Sequence, residues 1–270
     1  MKMDAHRINP ADLLLPTVEA INAAQQNPRA FVERVIGGPA RYELQGQVMD
    51  SVRDFRETLV ASCHGTGKSA TVADIVLWFL FSFWPSKVIT IAPTYRQVKD
   101  ILWAEIHAKL ARSSIPKRGL KISPMGIHVG KNHFAEGFSP DVGKGEQDQG
   151  VRVQGYHSPN VLVAFEEGPG IEAALWTAKE GLMTGVNAKF VAIGNPVAAA
   201  GAFYEAWGKG RANKIEMRPF ATPNFVLSAE AVGRDQSFPL AAVSAAALSA
   251  MCDEYRAAIF IDPHGKGKTD

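Results

Sequence analysis

The stretch Ser62-Cys63-His64-Gly65-Thr66-Gly67-Lys68-Ser69 lies between the short apolar run Thr58-Leu59-Val60-Ala61 and a long apolar segment from Ala70 to Trp84. It leaves few folds open, because a buried strand must pass into a buried helix through two glycines. Glycines allow the tight turn that aims successive N–H groups at an anion, and the helix N-terminus adds partial positive charge. The spacing follows G-x-x-x-x-G-K-[ST], except that Ser62 stands where the first glycine belongs. On that template Ser62, Gly65, Thr66 and Gly67 line a nucleoside triphosphate, Lys68 reaches its β- and γ-oxygens, and Ser69 holds Mg2+.

The chain around the loop repeats a strand and helix rhythm. Lys87 to Ala92 reads as a central strand closed by Pro93-Thr94, and a helix follows from about Arg96 to Leu110. Such alternation calls for an α/β fold with a mostly parallel sheet flanked by helices. The stretch Ala111 to Gly126 reads as a polar connection, with short strands at Ile127-His128-Val129 and His133-Phe134-Ala135, and Ser139 to Gly150 reads as a loop. Asn160 to Phe165 is then an apolar strand ending in Glu166-Glu167.

In a doubly wound sheet, ligands bind at the carboxyl ends of the strands, which brings these acids beside the phosphate loop. Glu166 is the candidate for Mg2+, and Glu167 for the carboxylate that orients and polarises the attacking water. A helix from about Ile171 to Met183 leads to the strand Ala188 to Ile193, closed by Gly194-Asn195-Pro196. Asn195 fits either a sensor of the γ-phosphate or a plain Gly-Asn-Pro turn. Upstream, a helix over Arg41 to Arg53 carries Gln45, whose amide offers both a donor and an acceptor to an adenine edge. Before it, Asn9 to Gly38 shows helical periodicity. Gly201 to Trp207 reads as a short helix, Lys214 to Met217 as a strand, and Leu240 to Ala258 as an alanine-rich helix.

Composition excludes several classes. A net charge of +2 without a polybasic run does not by itself call for nucleic acid. Two cysteines make no disulfide framework, which points to a reducing cytoplasm, and no His or Cys spacing suits structural zinc. The apolar run Ile75 to Trp84 is bounded by Asp74 and Pro85, short of the roughly 20 residues a membrane helix needs. Met1 to Arg7 has no apolar core behind it, so no secretory signal is expected.

Taken in order, these features resemble the ATPase domain of the large terminase subunit, the DNA-packaging motor of tailed bacteriophages and prophages. The resemblance rests on Gln45, the loop from Ser62 to Ser69, Ile89 to Thr94 with Gln97 and Trp103-Ala104-Glu105-Ile106, Gln154-Gly155-Tyr156-His157 before Glu166-Glu167, and Ile193 to Pro196 with Gly201 and Phe203-Tyr204. It covers about Phe31 to Phe225. It implies a P-loop NTPase fold of the additional-strand type, with Lys68 and Ser69 on phosphate and Mg2+, Glu167 as catalytic glutamate, and Asn195 in a coupling motif. ATP and Mg2+ are the implied cofactors. Double-stranded DNA, a terminase small subunit, a portal protein and further copies in a ring are the implied partners, in the host cytoplasm.

The sequence departs from the family at three places. Glu166 stands where Asp is more usual. The loop lacks the internal arginine many members carry, so an arginine finger would come from Arg96, Arg152 or a neighbouring subunit. A nuclease domain is not expected within the chain, since Asp262 in Phe260-Ile261-Asp262-Pro263-His264-Gly265 has too few companion carboxylates. The expected organisation is a helical segment over 1–40, the ATPase domain over 41–225, and a tail or truncated nuclease start over 226–270. A helicase-like DNA-dependent ATPase and a degenerate, non-enzymatic prophage remnant are the alternatives.

Overall fold

The computed structural model describes residues 18–140, 156–218 and 221–223. The expectations for Arg152, Gln154, Gly155, the Leu240 to Ala258 helix and Asp262 therefore lie outside the described residues.

Among the described residues, eight strands form one sheet: β1 (Glu57–Ser62), β2 (Ser86–Ile91), β3 (Lys121–Ser123), β4 (Gly126–Gly130), β5 (His133–Phe138), β6 (Asn160–Glu166), β7 (Asn187–Gly194) and β8 (Asn213–Met217). Their spatial order is β3-β4-β5-β2-β6-β7-β1-β8. The ladders from β5 through β8 are all parallel, and β4 alone runs against its neighbours. The phosphate-loop strand β1 and the acid-bearing strand β6 are thus separated by β7, which is the additional-strand arrangement.

Side chains that alternate along the strands divide the core in two. Leu162 and Ala164 of β6 join one cluster, and Val161, Val163 and Phe165 join the other. The second face is covered by α6 (Ala173–Leu182) and α7 (Ala202–Gly208), through Leu175, Trp176, Leu182 and Phe203. The first is covered by α1 (Val18–Gln26), α2 (Pro28–Phe31) with its π-helical continuation Val32–Ile36, α3 (Glu43–Asp54), α4 (Lys68–Ser82) and α5 (Ala104–Arg112). Each face is therefore a period-2 stripe sealed by helices, as a parallel sheet requires.

Helix α4 starts at Gly67, whose φ of +77° turns the chain out of β1. Every residue of α4 but Ser69 and Ala70 is buried, which is why its sequence is apolar on all sides. The N-terminal helices dock on its far end, where Trp78 Nε1 donates to Ala24 O at 2.7 Å and Gln25 Nε2 to Ser82 O at 2.7 Å. Asp74, read from sequence as the border of the apolar run, lies inside the helix and is fully buried. Its carboxylate draws in Arg41 at 2.5 Å and Lys109 of α5 at 2.7 Å. Desolvation pushes the Lys109 ammonium below its ordinary pKa, against the pull of Asp74.

The stretch Ala111 to Gly126, expected from sequence to be a polar connection, contains β3. All three β3 residues are exposed, so no apolar alternation marks them. The helix after β2 opens as a π-helical segment, Gln97–Trp103, before α5. Thr94 and Gln97 cap it reciprocally, Thr94 N donating to Gln97 Oε1 at 3.1 Å and Gln97 N to Thr94 Oγ1 at 3.2 Å.

Candidate active site

The carboxyl ends of β1, β6 and β7 come together, and the turns that follow them carry the polar residues. Behind β1, Gly65 and Gly67 hold φ of +75° and +77°, in a left-handed region that costs other residues about 1–2 kcal/mol. The loop is tied internally. Ser62 Oγ pairs with Thr66 Oγ1 at 2.5 Å, and Thr66 Oγ1 donates to Cys63 O at 3.1 Å. The serine in place of the first glycine thus supplies a hydroxyl that fixes the loop.

Two residues of the α3 entry brace the loop from outside. Tyr42 OH donates to Thr66 O at 2.6 Å, and Gln45 Nε2 reaches Gly67 O at 3.4 Å. Gln45 Oε1 accepts from Tyr42 N at 3.3 Å, so the amide that the sequence offers to adenine is here engaged in capping α3 and supporting the loop.

Lys68 and Ser69 meet the two acids at the end of β6, Glu166 as its last residue and Glu167 just beyond it. Lys68 Nζ lies 3.1 Å from Cys63 O and 3.3 Å from Glu167 Oε1. Ser69 Oγ donates to Glu166 Oε1 at 2.5 Å. Glu166 is 3% exposed, and its Oε2 has no hydrogen-bond partner among the described residues. Burial pushes the Glu166 carboxyl up to about 7; the Ser69 bond and Lys68 pull the other way, while the Glu167 charge adds to the rise. Asn195, at the end of β7, is also buried, and its Oδ1 lacks a partner among the described residues.

A hard cation fits this corner. It offers a hydroxyl and a buried carboxylate with one orphaned oxygen, and Mg2+ takes few protein ligands while keeping waters and phosphate oxygens. No group of three or more His, Cys, Asp or Glu that could hold a metal forms among the described residues.

No protein-family model and no curated protein matches the sequence. Solved structures do match the fold. The ATPase domain of the large terminase of Thermus phage P74-26 aligns with a TM-score of 0.56 at 15% identity, covering 87% of this chain and 99% of that one. The same domain with one arginine changed to alanine gives 0.55 at 16% identity, over 73% and 88%. The chain has the fold of a large-terminase ATPase domain.

Within this terminase-type fold, Ser62, Gly65, Thr66, Gly67, Lys68 and Ser69 form one loop, with Gln45 against its end and Glu166 and Glu167 reaching it from β6. Asn195 follows β7, the strand between them. Arg96 is exposed beyond the end of β2. Sequence reasoning missed Tyr42, whose aromatic ring three places before Gln45 carries no mark of its role, and it missed the Arg41, Asp74 and Lys109 cluster behind the loop. A carboxylate inside an otherwise apolar helix is the signal that could have revealed the cluster, since such a group needs buried partners.

Proposed function

We propose that this chain is the ATP-hydrolysing part of a large terminase subunit, driving double-stranded DNA into the procapsid of a tailed phage or prophage. The observation that carries this reading is the convergence of two strand-end acids on the phosphate loop, Glu166 on Ser69 at 2.5 Å and Glu167 on Lys68 at 3.3 Å. The terminase-type fold supports it.

In this reaction the loop N–H groups and Lys68 would hold the phosphates, Ser69 and Glu166 would hold Mg2+, and Gln45 would face the adenine with the amide hydrogen and lone pair that its contacts to Gly67 O and Tyr42 N leave over. The ion, when bound, would supply charge neutralisation at the phosphates. Glu167, with 27% of its side chain exposed, is open to water and serves as the base. Phosphate oxygens compete for the Lys68 ammonium, which turns the Glu167 carboxylate from its lysine toward the attacking water. Asn195 senses the γ-phosphate and passes its loss to the following segment.

The phosphate loop contains no arginine, so the transition-state cation would come from Arg96, Arg152 or, in the reading we propose, a neighbouring subunit of a ring that also engages the small subunit and the portal in the host cytoplasm. No helix among the described residues is long and apolar enough to cross a membrane.

Steady-state hydrolysis and nucleotide binding by the purified protein test the assignment. Lys68→Ala should weaken both. Glu167→Gln should keep binding and slow turnover about a hundredfold, the scale of losing one transition-state group. Wild-type turnover in Glu167→Gln would remove the residue from its role.

A further inference from the structure

Glu167 has φ 54° and ψ 48°, and among the described residues it is the only non-glycine with positive φ. A side chain in that region is strained and persists only where its surroundings impose it. What imposes it is the turn that follows. Gly168–Gly170 form a single 3-10 turn, with Gly170 N donating to Glu167 O at 2.9 Å and Ile171 N to Gly168 O at 3.2 Å.

That turn is wedged between two neighbouring segments. On one side is Gly194, the last residue of β7, where a Cβ would stand 2.3 Å from Pro169 Cδ and 3.1 Å from Gly168 N. On the other is Pro93, beyond β2, whose Cγ would lie 2.9 Å from a Cβ on Gly170. Gly194 pairs in register with Ala61 of β1, and its predecessor Ile193 pairs with Glu166. The bare Cα of Gly194 thus lies between the phosphate loop and the acid turn.

We propose that Gly194 is a positioning residue for Glu167: the Pro169 ring seats against its bare Cα, and this seat fixes the Glu167 backbone in the left-handed region with its carboxylate 3.3 Å from Lys68 Nζ. The inference rests on the proposed role of Glu167 in hydrolysis. A methyl at Gly194 must move the ring, since carbon atoms ordinarily approach no closer than about 3.5 Å. The required shift exceeds about 1 Å, a misplacement that can slow a reaction about a hundredfold.

The test compares wild type, Gly194→Ala, Pro169→Ala and the double variant in single-turnover hydrolysis, binding of a fluorescent ATP analogue, and crystal structures. Gly194→Ala should be about a hundredfold slower with analogue affinity within about threefold of wild type. Pro169→Ala, which loosens the seat without a clash, should be several-fold slower. The double variant should return most of the way to Pro169→Ala, because trimming the ring removes the 2.3 Å clash and leaves only the milder 3.1 Å approach to Gly168 N. A double variant as slow as Gly194→Ala while binding nucleotide normally overturns the proposal, as does wild-type turnover in Pro169→Ala should Gly194→Ala not fold. Crystal structures decide the positioning even without turnover. Loss of the Lys68 to Glu167 contact in Gly194→Ala and its return in the double variant support the seat, and an unmoved Glu167 overturns it. A wild-type protein that hydrolyses no ATP would refute the proposed function alone.

Discussion

Replacing Asp74 with alanine should be among the most damaging single changes in this fold. The carboxylate is fully buried between Arg41, whose side chain is 12% exposed, and Lys109, at 1%. Without it two cations face each other, and Lys109 has almost no route to water. Breaking one partner out of a buried pair costs about 3–5 kcal/mol, a large share of a total stability of about 5–15 kcal/mol. Lys109→Met should cost less, about 1.5–3 kcal/mol for a lost charged hydrogen bond, because Asp74 retains both contacts from Arg41, at 2.5 and 3.0 Å. The double change Asp74→Ala with Lys109→Met should recover part of the loss, since the fully buried ammonium goes with its carboxylate and only Arg41, 12% exposed, is left without it. Urea unfolding followed by the fluorescence of buried Trp78 and Trp103 measures all three. A cost below about 1 kcal/mol for Asp74→Ala, or a double variant as costly as its two singles summed, refutes the reasoning. Nucleotide affinity should fall alongside, because Arg41 precedes Tyr42, which holds the phosphate loop.

Burial pushes the His133 ring down to about 3, and its Nδ1 accepts from Ser86 N at 2.9 Å. The unfolded chain titrates near 6.5, so this contribution is full above about pH 6.5 and is lost toward pH 3 at about 1.4 kcal/mol per pH unit; His133→Gln should flatten that slope in a pH series of urea melts, and an unchanged slope would count against it. At Gly46 the atoms nearest a Cβ would be those of the flexible Arg29 guanidinium, at 2.4 Å. Gly46→Ala should stay within about 1 kcal/mol of wild type, as helix propensity roughly offsets the disturbed surface pairs, and a loss above about 2 kcal/mol in thermal melts would contradict this. If the arginine finger comes from a neighbour, specific ATPase activity should rise steeply with protein concentration; a flat profile from a protein shown to be monomeric argues against it.

The central elements were legible because their chemistry is local. β1, β2, β6 and β7 are apolar runs ended by glycine, proline or acids, and α4 is too apolar to lie on a surface. The sequence placed the acids of β6 beside the loop through the rule that parallel sheets bind at their carboxyl ends. What escaped depends on tertiary partners. β3 exists by pairing with β4, and its exposed Lys121, Ile122 and Ser123 show no pattern alone. Asp74 looks like a boundary until Arg41 and Lys109, distant in sequence, close on it. The positive φ of Glu167 leaves no trace in its identity, because glutamate ordinarily avoids that region.

The edges of the sheet bear on how copies of this chain could meet. Among the described residues, the sheet ends on one side at β3, which is three residues long and carries Lys121, and on the other at β8, which exposes Lys214 and Glu216. Short, charged edges discourage strand addition from another molecule. Subunits in a ring would then touch through side chains and loops rather than a shared backbone ladder, and such contacts can break and re-form at each turnover without unzipping a sheet.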